Sequence, residues 1–166
     1  ELDDIDYLNK LSSYTNNKLL VKKNYKFKSV INVSQFDRDN LRYLFKNALI
    51  LRQTVKKNGK LDLLKGKIVG LYFDEPSSRT YGSFYVAVKK LGGDVLALND
   101  SVSSTKKGET LYDTLKCFES YCDLVVVRTK HKNALAGLEN RIKIPIINAG
   151  DGDGEHPTQA LLDVFT

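Results

Sequence analysis

Four separated stretches of the 166-residue chain carry side chains suited to gripping a small anion. The first, FDEPSSRT from Phe73 to Thr80, sets the hydroxyls of Ser77, Ser78 and Thr80 around the guanidinium of Arg79. One hydroxyl before a helix satisfies a free amide and contributes about 1 kcal/mol. Three of them around a planar cation exceed that need. At a helix start they would join the free amides and the positive end of the helix dipole in a cradle for phosphate. The second stretch, SVSSTKKGET from Ser101 to Thr110, reads as a polar loop in which Lys106 and Lys107 could reach a bound anion as a lid. In the third, Arg128 stands directly after the apolar run DLVVV. The fourth, NAGDGDGEHPTQ from Asn148 to Gln159, delivers His156 and Gln159 three residues apart, on one face of an incipient helix. That glycine-rich turn has neither the glycine and glutamate placement of an EF-hand nor the spacing of a dinucleotide site or P-loop.

The elements around these stretches follow from periodicity. QFDRDNLRYLFKNALILRQTVKKNG puts Phe36, Leu41, Leu44, Phe45, Ala48 and Leu51 near one face, which predicts an amphipathic helix opened by Ser34 or Asp37 and stopped at Gly59. From Lys67 the pattern alternates: strand KIVGLYF, helix YGSFYVAVKKLGG, strand DVLALN, helix TLYDTLKCFESY, strand DLVVVRT, strand IPIINAG, and a helix entered at HPTQ with proline in its first turn. Short apolar runs alternating with helical patterns predict an α/β fold, an open four-stranded parallel sheet with helices on both faces, Rossmann-like. In such sheets ligands lie outside the carboxyl ends of the strands. All four polar stretches follow a strand, so one shared site is expected.

Composition sets the outer bounds. With 42% hydrophobic and 28% charged residues the chain is globular in kind, and its length suits one domain. No apolar run is long enough for a membrane span, and none near the amino end resembles a secretory signal. The net charge of +6 is scattered rather than striped and lacks interleaved aromatics, which argues against nucleic acid and fits an anionic substrate. Cys117 and Cys122 offer neither disulfide-framework nor zinc spacing, so a reduced compartment is expected and no metal. Residues 1–28 change from acidic to lysine-rich with weak periodicity and read as an amino-terminal extension, a transit-peptide remnant being one reading, before a domain of residues 29–166. The sequence starts at Glu1 and contains no Met, which suggests a processed or excised piece.

Taken together, SSRT, the KKGE loop, the strand-ending arginine and HPTQ resemble the transcarbamoylases over roughly residues 29–166, in the same order. Lys107 and the NAGDG run from Asn148 to Gly152 resemble the aspartate branch more than the ornithine branch. The resemblance implies transfer of the carbamoyl group of carbamoyl phosphate to the amino group of L-aspartate, in de novo pyrimidine synthesis, without a cofactor. It implies that Ser77, Ser78, Arg79 and Thr80 cradle the phosphate and that Arg128 bridges phosphate and carbonyl oxygen. His156 would hydrogen-bond that carbonyl, and Gln159 would hold the carbamoyl amine. Ser103 and Lys107 would enter a neighbouring subunit's site, giving a homotrimer with shared active sites in the cytoplasm or, after import, an organelle. Glu75 would pair with arginines of a second, aspartate-binding domain expected beyond Thr166, so the chain alone is expected to be inactive. Pro76, Thr129 and Lys130 depart from the family pattern. The rival readings are ornithine carbamoylation and a non-catalytic phosphate-binding or oligomerisation module.

Overall fold

The computed structural model describes residues 28–99 and 109–166. Four parallel strands form one sheet in the order β2-β1-β3-β4: β1 (Ile68–Phe73), β2 (Asp94–Asn99), β3 (Leu124–Thr129) and β4 (Ile146–Asp151). Among the described residues four α-helices accompany them: α1 (Arg38–Asn58), α2 (Ser78–Lys90), α3 (Leu111–Tyr121) and α4 (Pro157–Phe165). The expected α/β architecture is therefore present.

Both faces of the sheet are covered, which is why β1 and β3 read as unbroken apolar runs rather than alternating ones. Val69, Leu71 and Phe73 of β1 point to one face, where Val88, Tyr81 and Phe84 of α2 pack with Val126 and Ala149. Tyr72 points to the other, against Leu115 and Phe118 of α3 together with Val125, Val127 and Ile146. Gly70 lies under α3, where an added Cβ would come within 2.4 Å of Phe118 Cδ1.

Local sequence explains where the helices begin. Asp37, rather than Ser34, caps α1 by accepting from the Asn40 amide at 2.8 Å, and Ser34 belongs to a short 3-10 turn. Gly59 ends that helix at φ 76°. Thr110 and Asp113 form a reciprocal capping box at α3, and Pro157 occupies the first position of α4. Between β3 and β4 the crossover contains turns and a short 3-10 helix, Leu138–Asn140, instead of an α-helix. Leu135, Leu138 and Ile142 nevertheless bury themselves in the core from that crossover. Before α1, Val30 bridges to Ile147 and extends the pairing beyond β4.

The order 2-1-3-4 has a consequence for function. The chain leaves β1 towards β2 and leaves β3 towards β4, so a crevice opens at the carboxyl ends of β1 and β3, where ligands bind in sheets of this kind.

Candidate active site

Two of the stretches singled out in the sequence meet at the carboxyl ends of β1 and β3. Phe73 of β1 pairs in register with Arg128 of β3, so the segment entering α2 and the strand-ending arginine stand side by side. Ser77 occupies the N-cap position of α2, yet its side chain makes no capping hydrogen bond. The first amides of the helix, from Ser78 to Thr80, thus lack both the intrahelical acceptors that a helix start never has and a side chain in their place. This contrasts with α1 and α3, whose caps are closed. Ser78 and Arg79 are exposed and Thr80 is half-buried in that first turn. An uncapped helix start with three hydroxyls and a guanidinium offers the donors and positive charge that an anion would need.

Arg128 is mostly enclosed, its side chain 19% exposed. Its Nη1 donates to the Ala149 carbonyl at 3.2 Å, which lays the guanidinium across β4. A bulge makes room for it: β3 and β4 run in register up to Val127–Asn148 and resume at Thr129–Asp151, leaving one extra residue on β4. Bulges of this kind re-aim side chains near functional sites. Gly150 lies in the bulge at φ 120°, and a Cβ there would come within 2.9 Å of Arg128 Nη1 and 3.4 Å of His156 Cδ2. The same backbone position therefore underlies both Arg128 and His156. The Arg128 Nε lies 3.2 Å from Glu75 Oε2. Neither atom makes a hydrogen bond to the protein, so the pairing is purely Coulombic.

His156 forms the N-cap of α4, and its Nδ1 faces the Gln159 amide at 3.4 Å and the Thr158 hydroxyl at 3.3 Å. A ring nitrogen that accepts from a backbone N–H carries no proton, which places the hydrogen of a neutral ring on Nε2. Burial, and secondly the nearby Arg128 charge, hold the imidazole below its ordinary pKa. Gln159 donates through Nε2 to Asp163 Oδ1 at 2.8 Å, one turn further along α4, which leaves its carbonyl oxygen as the acceptor. Ser103, Lys106 and Lys107 lie outside the described residues.

The structure also reveals supporting residues with no local motif to mark them. Buried Asn148 donates to the Ile31 carbonyl at 2.9 Å and accepts from the Gly150 amide at 2.8 Å, fixing the bulge. Buried Asp151 accepts from the amides of Asn133, at 3.1 Å, and Glu155, tying the crossover to the turn that delivers His156. Asp74 performs a similar task between β1 and β3. The glycine-rich run around Asn148 and Asp151 signals a special backbone, but their partners lie too far off in sequence to read. Among the described residues no cluster of His, Cys, Asp or Glu is arranged to hold a metal ion, and no helix is long and apolar enough to cross a membrane.

Residues 28–166 match the family described as aspartate/ornithine carbamoyltransferase, carbamoyl-P binding domain. A multifunctional protein of Dictyostelium discoideum is 49% identical over 142 residues, which span 84% of this chain and 6% of that protein. The aspartate carbamoyltransferase catalytic subunit of Archaeoglobus fulgidus is 43% identical over 82% of this chain and 46% of its own length. Among solved structures, aspartate transcarbamoylase from Trypanosoma cruzi in complex with carbamoyl phosphate and aspartate superposes with a TM-score of 0.78 at 40% identity, covering 83% of this chain and 46% of that one. The chain thus spans less than half the length of the proteins it resembles. The chain therefore belongs to the aspartate/ornithine carbamoyltransferase family, as its carbamoyl-P binding domain.

Proposed function

We propose that this chain is the carbamoyl phosphate half of an aspartate carbamoyltransferase, which makes N-carbamoyl-L-aspartate and phosphate for pyrimidine synthesis. The observation that carries the reading is the open start of α2 set beside Arg128 at the sheet's switch point. Ser77, Ser78, Arg79 and Thr80 receive the phosphate. Arg128 exchanges its Coulombic partner Glu75 for phosphate and carbonyl oxygens, to which it can donate properly aligned hydrogen bonds.

The neutral amine of aspartate attacks the carbamoyl carbon, the carbonyl oxygen takes up negative charge, and the carbon–oxygen bond to phosphate then breaks with its electron pair leaving on phosphate. The departing phosphate accepts the amine proton. Thr80, Arg128 and the Nε2–H of His156 donate to the developing oxyanion, while the Gln159 carbonyl accepts from the carbamoyl amine. A preformed pocket for one substrate lowers the entropic barrier to meeting the second. Aspartate itself is gripped by a second domain, with which Glu75 pairs on closure. Ser103 and Lys107 complete the site of a neighbouring subunit in a homotrimer. Two free cysteines fit a reducing compartment, and the cytoplasm is the proposed one.

The test is an assay of the full-length enzyme carrying this segment, with carbamoyl phosphate and either aspartate or ornithine. Carbamoyl aspartate is the expected product. Carbamoylation of ornithine instead, or binding of carbamoyl phosphate without turnover, would overturn the assignment.

A further inference from the structure

Residues on β1, β3 and β4 can act on one ligand only if the carboxyl ends of those strands are held in place beyond the last ladder pair, Phe73–Arg128. Asp74, the first residue after β1, does this with its amide and both carboxylate oxygens. Its amide donates to the Arg128 carbonyl at 3.1 Å. Its Oδ2 accepts from the Thr129 hydroxyl at 2.8 Å, and its Oδ1 accepts from the Lys130 amide at 2.8 Å. Three consecutive residues of β3 and its exit are thereby bound to one residue of β1. Thr129 is fully buried and passes the connection on, because its carbonyl accepts from the Gly152 amide at 2.8 Å on the far side. Both carboxylate oxygens accept from neutral donors, and among the described residues no cation pairs with Asp74. Its value therefore lies in geometry rather than charge pairing.

Its place in the chain sharpens the point. The next residue is Glu75, which faces Arg128 Nε, and the cradle begins at Ser77. We propose that Asp74 is a positioning residue for carbamoyl phosphate: clasped to Thr129 and Lys130 across the switch point, it sets the separation between the start of α2 and the guanidinium of Arg128. This rests on the function proposed above. Displacement of binding groups by about an ångström can cost on the order of a hundredfold in rate, so the clasp governs substrate affinity as well as stability.

The fold contains its own control. At the opposite ends of the same two strands, Asp123 accepts from the Ile68 amide at 2.9 Å and from Lys67 Nζ at 2.6 Å, while its amide donates to the Ile68 carbonyl at 2.9 Å. That clasp joins the same strands by similar bonds, but lies roughly 16–20 Å from the site at about 3.3 Å per residue.

The experiment compares Asp74→Ala, Thr129→Val, Thr129→Ser and Asp123→Ala in the full-length enzyme. Its readouts are melting temperature, KM for carbamoyl phosphate, kcat, and the Nε–H resonance of Arg128 in the unliganded protein. Asp74→Ala and Thr129→Val are expected to raise that KM by about tenfold or more and to shift the Arg128 resonance, and combining them should add little to either alone. Thr129→Ser keeps the hydroxyl and should restore wild-type behaviour. Asp123→Ala should lower the melting temperature while leaving KM and the resonance in place. Equal KM and an unmoved Arg128 resonance in Asp74→Ala and Asp123→Ala would overturn the inference. A wild-type enzyme that failed to bind carbamoyl phosphate would instead refute the proposed function, and the Arg128 resonance would still decide the role of Asp74.

Discussion

His156 is the residue whose protonation state the fold most directly controls. It is partly buried and stands beside Arg128, and these two influences outweigh a backbone hydrogen bond and the Asp163 charge, which act the other way, so the neutral ring is favoured. Burial is the larger cause and the Arg128 charge the second. An NMR titration is therefore expected to find its midpoint below the ordinary histidine value of about 6.5. In Arg128→Ala the midpoint should rise part of the way back, since burial persists. Because the folded pKa is the lower one, the unfolded chain binds more protons between the two values. The stability contribution is thus fully present above the unfolded pKa and lost as pH falls through the folded one. A midpoint at or above the ordinary value would contradict the neutral ring proposed for His156. For Arg128 itself, replacement by alanine removes one oxyanion donor and should lower kcat about a hundred- to a thousandfold, measured in the full-length enzyme. At this scale the placement of Ser77 to Thr80, Arg128 and His156 at the carboxyl ends of the strands was legible, because polar groups follow apolar runs there. Asp74 and Asp151 were not, because a carboxylate at a strand end looks solvated until the donor 55 or 18 residues away is in place.

Among the elements, the start of α2 separates a capping motif from a binding motif. Thr110 closes α3 with a bond to the Asp113 amide at 3.2 Å, whereas Ser77 closes nothing. Thr110→Ala is accordingly expected to cost about 1 kcal/mol of stability and Ser77→Ala only a few tenths. The same Ser77→Ala change should weaken carbamoyl phosphate binding, seen by calorimetry beside chemical denaturation. If instead Ser77→Ala destabilised the fold as much as Thr110→Ala, the hydroxyl would be a cap after all. The β4 bulge invites a second test. Gly150→Ala would force a Cβ towards Arg128 Nη1 at φ 120°, a strained backbone costing about 1–3 kcal/mol, and is expected to raise KM for carbamoyl phosphate together with the stability loss. The helices and strands themselves were readable from period and caps. The crossover from β3 to β4 was harder, since Leu135, Leu138 and Ile142 stand three and four residues apart, as on one face of an α-helix, yet reach the core from turns and a short 3-10 helix. The bulge was announced only by a glycine-rich run, which marks unusual backbone without saying which side chain it accommodates.

At the scale of the whole molecule, apolar side chains stand uncovered on three helices: Tyr85 and Val86 of α2, Tyr121 of α3, and Leu162 and Val164 of α4, the last 67% exposed. Such surface fits a chain that works within a larger assembly. The proposed trimer makes a quantitative claim on that point, because each site would draw Arg128 from one subunit and Lys107 from its neighbour. Full-length Lys107→Ala and Arg128→Ala proteins should each be nearly inactive as homotrimers. Mixed in equal amounts and allowed to exchange subunits, they would form sites in which an intact Arg128 meets an intact Lys107 at about one junction in four, given random closed threefold rings. Activity should thus recover to about a quarter of wild type, and only under conditions that permit dissociation and reassembly. Lack of recovery after exchange has been verified by native mass spectrometry would mean that each subunit completes its own site, and Lys107 would then have to reach the Arg128 crevice of its own chain.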